Sequence, residues 1–208
     1  MTGGARTRTL RIVLAAGVQA VAAAGCTLLP PPDPPPAIAL LDKLPDDIPQ
    51  ASCRSPVVRV ERPEARPAYD TTRMAYTQQP HQIAYFSRHE WGERPPQMLH
   101  PLLVRALEAT VCLRTIVPPD VGPAAYVLRT DVQELTQDFT QEPPQARLAL
   151  RVRWLDAGTG QLIGTRQITQ SEPMRQKNPV AGVQAANEAT AKALREVARF
   201  ALEMAGTH

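Results

Sequence analysis

At 208 residues, 43% of them hydrophobic and 21% charged, the chain has room for one ordinary globular domain plus appendages and not for two full domains. Its formal charge of +3 rests on Arg6, Arg8 and Arg11, which stand in a leader without acidic residues; the remaining chain is neutral and shows no basic stripe, which argues against a nucleic-acid binder. The 22 prolines outnumber the 11 glycines and crowd toward the front, which predicts a stiff tether ahead of a compact body.

Residues 1–25 have the parts of an export signal. The three arginines precede an uncharged, largely apolar run from Ile12 to Ala24, interrupted by Gln19. That run fits the ~7–15 residues of a signal core and falls short of the ~20 needed to span a bilayer. Small residues then lead into Cys26 as Ala23-Ala24-Gly25-Cys26, which resembles the bacterial lipobox with Ala23 where leucine is usual. The resemblance implies a diacylglyceryl group on the Cys26 sulfur and acyl chains such as palmitate; several chains anchor stably where one holds only marginally. Thr27 in place of aspartate implies, by likeness to the same sorting system, an outer-membrane anchor facing the periplasm. The alternative is a plain secreted protein cut near Ala24.

Residues 26–52 read as the lipidated cysteine and a proline-rich tether. Pro30-Pro31-Pro32-Asp33-Pro34-Pro35-Pro36 lacks backbone donors and has fixed φ, so it should be extended polyproline II. At ~3.1 Å per residue it spans about 20 Å as a spacer, or serves as a docking ligand. A second loose stretch runs from Leu44 to Pro49.

The body, residues 53–208, begins with a strand at Val57–Val60, stopped by Pro63. Thr72 to Tyr76 and Gln82 to Ser87 read as strands around a Gln78-Gln79-Pro80-His81 turn. Trp91 to Pro96 reads as a break. Leu99, Leu102, Leu103, Ala106 and Leu107 then recur at helical spacing, with Pro101 expected in the first turn. Tyr126 to Leu135 is rich in strand formers. From Arg147 to Leu155, Leu148, Leu150, Val152 and Trp154 alternate with Arg147, Arg151 and Arg153, the period of a half-buried strand. Asp156 to Gly160 makes a turn and Gln161 to Thr169 returns as the partner strand.

The last element is a helix from Val180 to Met204, with Val183, Asn187, Thr190, Leu194, Val197, Ala201 and Met204 as its packing stripe. Together these elements predict an α+β fold, an antiparallel sheet with two helices packed on it. Asn187 is polar within the stripe, either facing a partner or bonded beside a strand. Cys53 and Cys112 form an even pair once Cys26 is lipidated. A disulfide closing about 60 residues would contribute about 4 kcal/mol, the alternative being two separate buried thiols.

The sequence has no GxSxG elbow, no phosphate-binding glycine loop and no CxxC pair, and its four histidines lack metal-ligand spacing. The expectation is a protein that is not an enzyme and has neither cofactor nor metal, although a dispersed catalytic site leaves no such signature.

Met74-Ala75-Tyr76, then Ile83-Ala84-Tyr85-Phe86-Ser87, Trp91, Pro95-Pro96 and the leucines after them resemble the ABC-type transport auxiliary lipoproteins. The Asp-x-x-Thr-Gly hairpin at Asp156–Gly160 and the alanine-rich terminal helix extend the resemblance over residues 53–205. The chain departs from the pattern at Gly92-Glu93-Arg94, where an alanine-led stretch is more usual. The resemblance implies an accessory subunit of an envelope lipid transporter, partnered by an ATPase, a permease and an MCE-type (mammalian cell entry) lipid-binding protein, with homo-oligomerisation as a further property. The competing reading is a pilotin-like scaffold of another envelope machine. Tyr85, Trp91 and Asn187 are the candidate partner or packing positions.

Overall fold

The structure, a computed structural model, describes residues 34–52 and 54–206, so the leader and Cys26 lie outside the described residues. The chain divides at Pro35–Pro36, and every element below belongs to the unit that begins at Pro36. Among the described residues, no helix is long and apolar enough to cross a membrane.

In chain order the elements are β1 (Ala37–Ala39), β2 (Val57–Val60), β3 (Glu64–Ala65), β4 (Arg73–Thr77), β5 (Ala84–Trp91), α1 (Pro95–Glu108), β6 (Arg114–Ile116), β7 (Tyr126–Asp138), β8 (Gln145–Asp156), β9 (Leu162–Pro173) and α2 (Pro179–Gly206). The fold is α+β, a large and mostly antiparallel sheet carrying two helices, as the alternating and helical periods predict.

The backbone of the sheet is the antiparallel meander β7–β8–β9. Leu128, Val132 and Leu135 of β7 and Leu148, Leu150, Val152 and Trp154 of β8 point to one side and are buried. A bulge between Val132 and Glu134 leaves Gln133 out of the β7–β8 register. The other edge of β7 is lined in succession by β2, β3 and β4, all parallel to it, at Tyr126–Leu128, Asp131–Val132 and Gln137–Asp138. β5 returns antiparallel to β4; β1 lies parallel to β5 and β6 parallel to β2.

Both helices contribute to the buried core. α2 packs on β8 and β9 and touches α1. Its buried face includes Leu194, Val197 and Ala201 of the expected stripe but is widened by Ala185, Ala186, Ala189, Ala193 and Phe200. Small side chains let the helix lie close to the sheet. Asn178 caps α2, its Oδ1 accepting the Ala181 N–H at 2.8 Å.

Two local expectations change. α1 starts at Pro95, so Pro101 is interior to the helix rather than in its first turn. The proline pair Pro95-Pro96, which needs no N–H partners there, opens the helix earlier than the leucine spacing suggests. Trp91 ends β5 rather than standing in a break, because its N–H donates to the Thr72 carbonyl at 2.8 Å and extends the strand.

Candidate functional site: a gripped strap and an uncovered sheet face

The segment that follows the prolines is fixed to the body at several points. Asn187 of α2 donates from Nδ2 to the Leu40 carbonyl at 2.9 Å and accepts at Oδ1 the N–H groups of Asp42 (2.9 Å) and Lys43 (3.1 Å). A side-chain amide has two donors and two lone pairs, and the second donor goes to the Val183 carbonyl at 3.2 Å, so its capacity is used inside the chain. Leu41 is buried, with its N–H 3.4 Å from the Met98 sulfur of α1. Salt bridges from Lys43 to Glu188 and from Arg195 to Asp47 continue the attachment.

Trp91 and Gly92 hold the other side of this strap. Trp91 is 3% exposed and opposes Ala39 in the β1–β5 ladder. The Gly92 N–H donates to the Ala39 carbonyl at 2.8 Å, and a Cβ at Gly92 would fall 2.6 Å from Leu40 Cδ2. A side chain there would have to displace the Leu40 tip, while the backbone lies 3.6 Å away at the Ala39 oxygen. Ile38 and Leu40 themselves turn outward, 62% and 52% exposed. Tyr85, half-buried, donates its hydroxyl to the Ala68 carbonyl at 3.0 Å and lies 4.0 Å beneath the Arg73 guanidinium. The structure thus brings Trp91 and Asn187 onto one strap and leaves Tyr85 apart from them.

Cys53 lies outside the described residues, and with it the Cys53–Cys112 pairing. Cys112 is buried. The flanks of the two positions are stitched together: the Ala51 N–H donates to the Thr110 carbonyl at 3.3 Å and the Arg114 N–H to the Pro56 carbonyl at 3.1 Å.

The side of the sheet away from the helices carries a row of charge pairs. Arg129 meets Glu61 at 2.6 Å, Arg153 meets Asp131 at 3.0 Å, and Arg147 reaches both Glu134 (3.4 Å) and Asp138 (3.5 Å). Burial pushes the Asp138 carboxyl up, but the Thr140 hydroxyl and N–H together with Arg147 outweigh it and hold the group below the ordinary carboxylate range. Half-buried Asp156 is held low by the N–H and hydroxyl of Thr159 and by the Gly158 N–H, which fix the β8–β9 turn.

Two shallow clefts open on the body. One, about 290 Å³, is lined by Glu64, Arg66, Asp131, Gln133, Arg151 and Arg153. The other, about 410 Å³, lies among Thr77, His81, Ile83, Asp138, Thr140 and Arg147. Among the described residues, no group of three or more His, Cys, Asp or Glu side chains is placed to hold a metal ion. His100, for its part, has Nε2 3.1 Å from the Val60 carbonyl and is engaged within the fold. What these surfaces offer is contact: paired charges, shallow clefts of mixed polarity and an outward-facing apolar strap.

The fold and its surfaces define an α+β protein whose leading segment is strapped across both helices. The chain belongs to the family of ABC-type transport auxiliary lipoprotein components, which matches residues 40–198 and so begins on the strap that Asn187 grips. Protein XCC0632 from Xanthomonas campestris has a similar fold at TM-score 0.70 and 20% identity, covering 83% of this chain and 95% of that one. The hypothetical protein CT253 from Chlamydia trachomatis follows at TM-score 0.53 and 12% identity, covering 74% and 99%. No curated protein sequence matches the chain. Family membership makes this a transport auxiliary component of lipoprotein type, in keeping with a lipid-anchored location in the envelope.

Proposed function

We propose that the chain is the lipid-anchored accessory subunit of an ABC transporter that moves lipid across the envelope. It is attached through a diacylglyceryl group on Cys26 to the outer membrane, faces the periplasm and docks an MCE-type partner that works with a permease and an ATPase. It acts by binding and not by catalysis. Self-association and a Cys53–Cys112 disulfide belong to the same proposal; the backbone bonds on either side of both cysteines support the disulfide.

The observation that carries this reading is family membership starting at Leu40, on the strap where Asn187, Trp91 and Gly92 fix the anchor-side segment to the body. An anchor at Cys26 would pull on the core through that strap. The test is purification of the full chain from membranes. Mass analysis of its processed N-terminus should find acylated Cys26, and its co-purifying proteins should include an MCE-type subunit. An unmodified N-terminus removes the anchor. Recovery with components of a secretion or pilus machine, and without the transporter, replaces the role with that of a scaffold.

A further inference from the structure

The row of charge pairs on the sheet is one carboxylate short. Arg129 has Glu61, Arg153 has Asp131, and Arg147 has Glu134 and Asp138. Among the described residues, Arg66 and Arg151 form no ion pair, although both are exposed and line the cleft of about 290 Å³. The register explains the shortage. Arg151 stands opposite Asp131 in the β7–β8 ladder, but Arg153 Nη2 meets both oxygens of that carboxylate, at 3.0 and 3.1 Å. Glu61, by hydrogen bond and charge, and Glu64, by charge alone, both act on Arg129. The cleft therefore sets Arg66, Arg151 and Arg153 against Glu64 and Asp131, with positive charge in surplus.

We propose that this cleft docks an acidic peptide segment of a partner protein, with a carboxylate held between Arg66 and Arg151. β3 and β8 flank β7 on opposite sides, about 10 Å apart across it, so two side chains of arginine length can meet over that strand. Both stand on fixed backbone. The Arg66 N–H donates to the Val132 carbonyl at 3.1 Å, and its carbonyl accepts the Tyr69 and Asp70 N–H groups at 2.8 and 3.0 Å. Arg151 is paired on one side with Asp131 and on the other with Gln167. Groups held in place beforehand lose less freedom on binding. The bulge at Gln133 adds an amide to the cleft. Its Oε1 accepts from Gln167 Nε2 at 3.0 Å, which leaves the Gln133 donors for a ligand.

The charge balance favours a carboxylate over a phosphate. One added carboxylate neutralises the surplus, whereas a phosphate group carrying about −1.5 to −2 would be repelled by Glu64 and Asp131. The same face already fits its other guanidiniums to carboxylates, a match of planar groups. The neighbours of Arg153 and Arg151 on the next strand, Thr165 and Gln167, are exposed and polar. An open surface of this kind suits an extended segment laid across it better than an enclosed small molecule. The inference rests on the docking role proposed above and gives it a surface and a partner chemistry. Its test contains no transporter component, so peptide binding can fail while co-purification with an MCE-type subunit stands, and the reverse.

The test is fluorescence anisotropy of a labelled peptide of alternating threonine and glutamate, titrated with the full chain in uncharged detergent. The parent chain should bind it about tenfold more tightly than the threonine–glutamine counterpart. Arg66→Gln and Arg151→Gln should each weaken binding about threefold, and the double variant about tenfold, as loss of exposed ion pairs does. Arg105→Gln, which changes an exposed arginine of α1, should leave the affinity unchanged. At equal ionic strength, acetate should displace the peptide at least as well as inorganic phosphate. A parent chain that binds neither peptide, or both equally, overturns the inference whether or not the variants fold. So does an equal loss in Arg105→Gln, or displacement by phosphate and not by acetate, which would make the cleft a phosphate site.

Discussion

Gly182 of α2 rests directly on the Gln137 side chain of β7: a Cβ at that glycine would fall 2.0 Å from Gln137 Cδ. The contact lies over the Gln137 amide, whose Nε2 donates to the Pro179 carbonyl at 3.2 Å and lies 3.1 Å from the Met74 sulfur. Gly182→Ala must push either the helix or the amide away, and overpacking of this kind costs about 1–3 kcal/mol. Thermal or denaturant unfolding should show that loss. An unchanged midpoint would mean that Gln137 swings aside freely.

Asn187→Ala removes the side chain that holds the Leu40 carbonyl and the Asp42 and Lys43 N–H groups. The cost to global stability should be about 1–3 kcal/mol, with polar groups of the strap left to water or unpaired. Amide exchange at Asp42 and Lys43 should accelerate more than exchange in β8. Equal acceleration at both places would show that Asn187 supports the whole fold and not the strap in particular.

Trp91→Ala empties a site that is 3% exposed where β5 meets β1 and should cost about 3–5 kcal/mol. Unfolding midpoints of parent and variant measure this. Normal melting with impaired co-purification of a partner would instead make Trp91 a contact residue.

Asp138 is 5% exposed and held as the carboxylate by Thr140 and Arg147. A carboxyl depressed in the folded state adds stability that is complete above the unfolded value of ~3.9 and drains away as pH falls through the folded value. Asp138→Asn should therefore be less stable than the parent at neutral pH, and the gap should narrow below about pH 4. Melting temperatures measured across pH 7 to pH 3 check the sign; a gap that widens in acid would contradict it.

The long strands and the terminal helix were legible because their patterns are long. Leu148 to Trp154 alternates over a full strand, and α2 repeats its apolar positions for many turns. β1, β3 and β6 were not, since two or three residues cannot display a period and exist as strands only through their neighbours. Asn187 stood out as a polar residue in an apolar stripe, but its partners at Leu40–Lys43 are far away in sequence. The arginines of β8 could be assigned to one face. Their partners Asp131, Glu134 and Asp138 depend on a register that includes the bulge at Gln133.

β2, β3 and β4 all lean on one edge of β7, which is made more than sixty positions after the first of them. Before β7 is made, the front half of the chain can form only the β1–β5–β4 and β2–β6 pairings, and these two pieces are joined into one sheet by β7. Closing loops of that span is entropically slow compared with forming local structure. In a polypeptide built this way the keystone comes late: the sheet closes into one piece only once its central strand has been made.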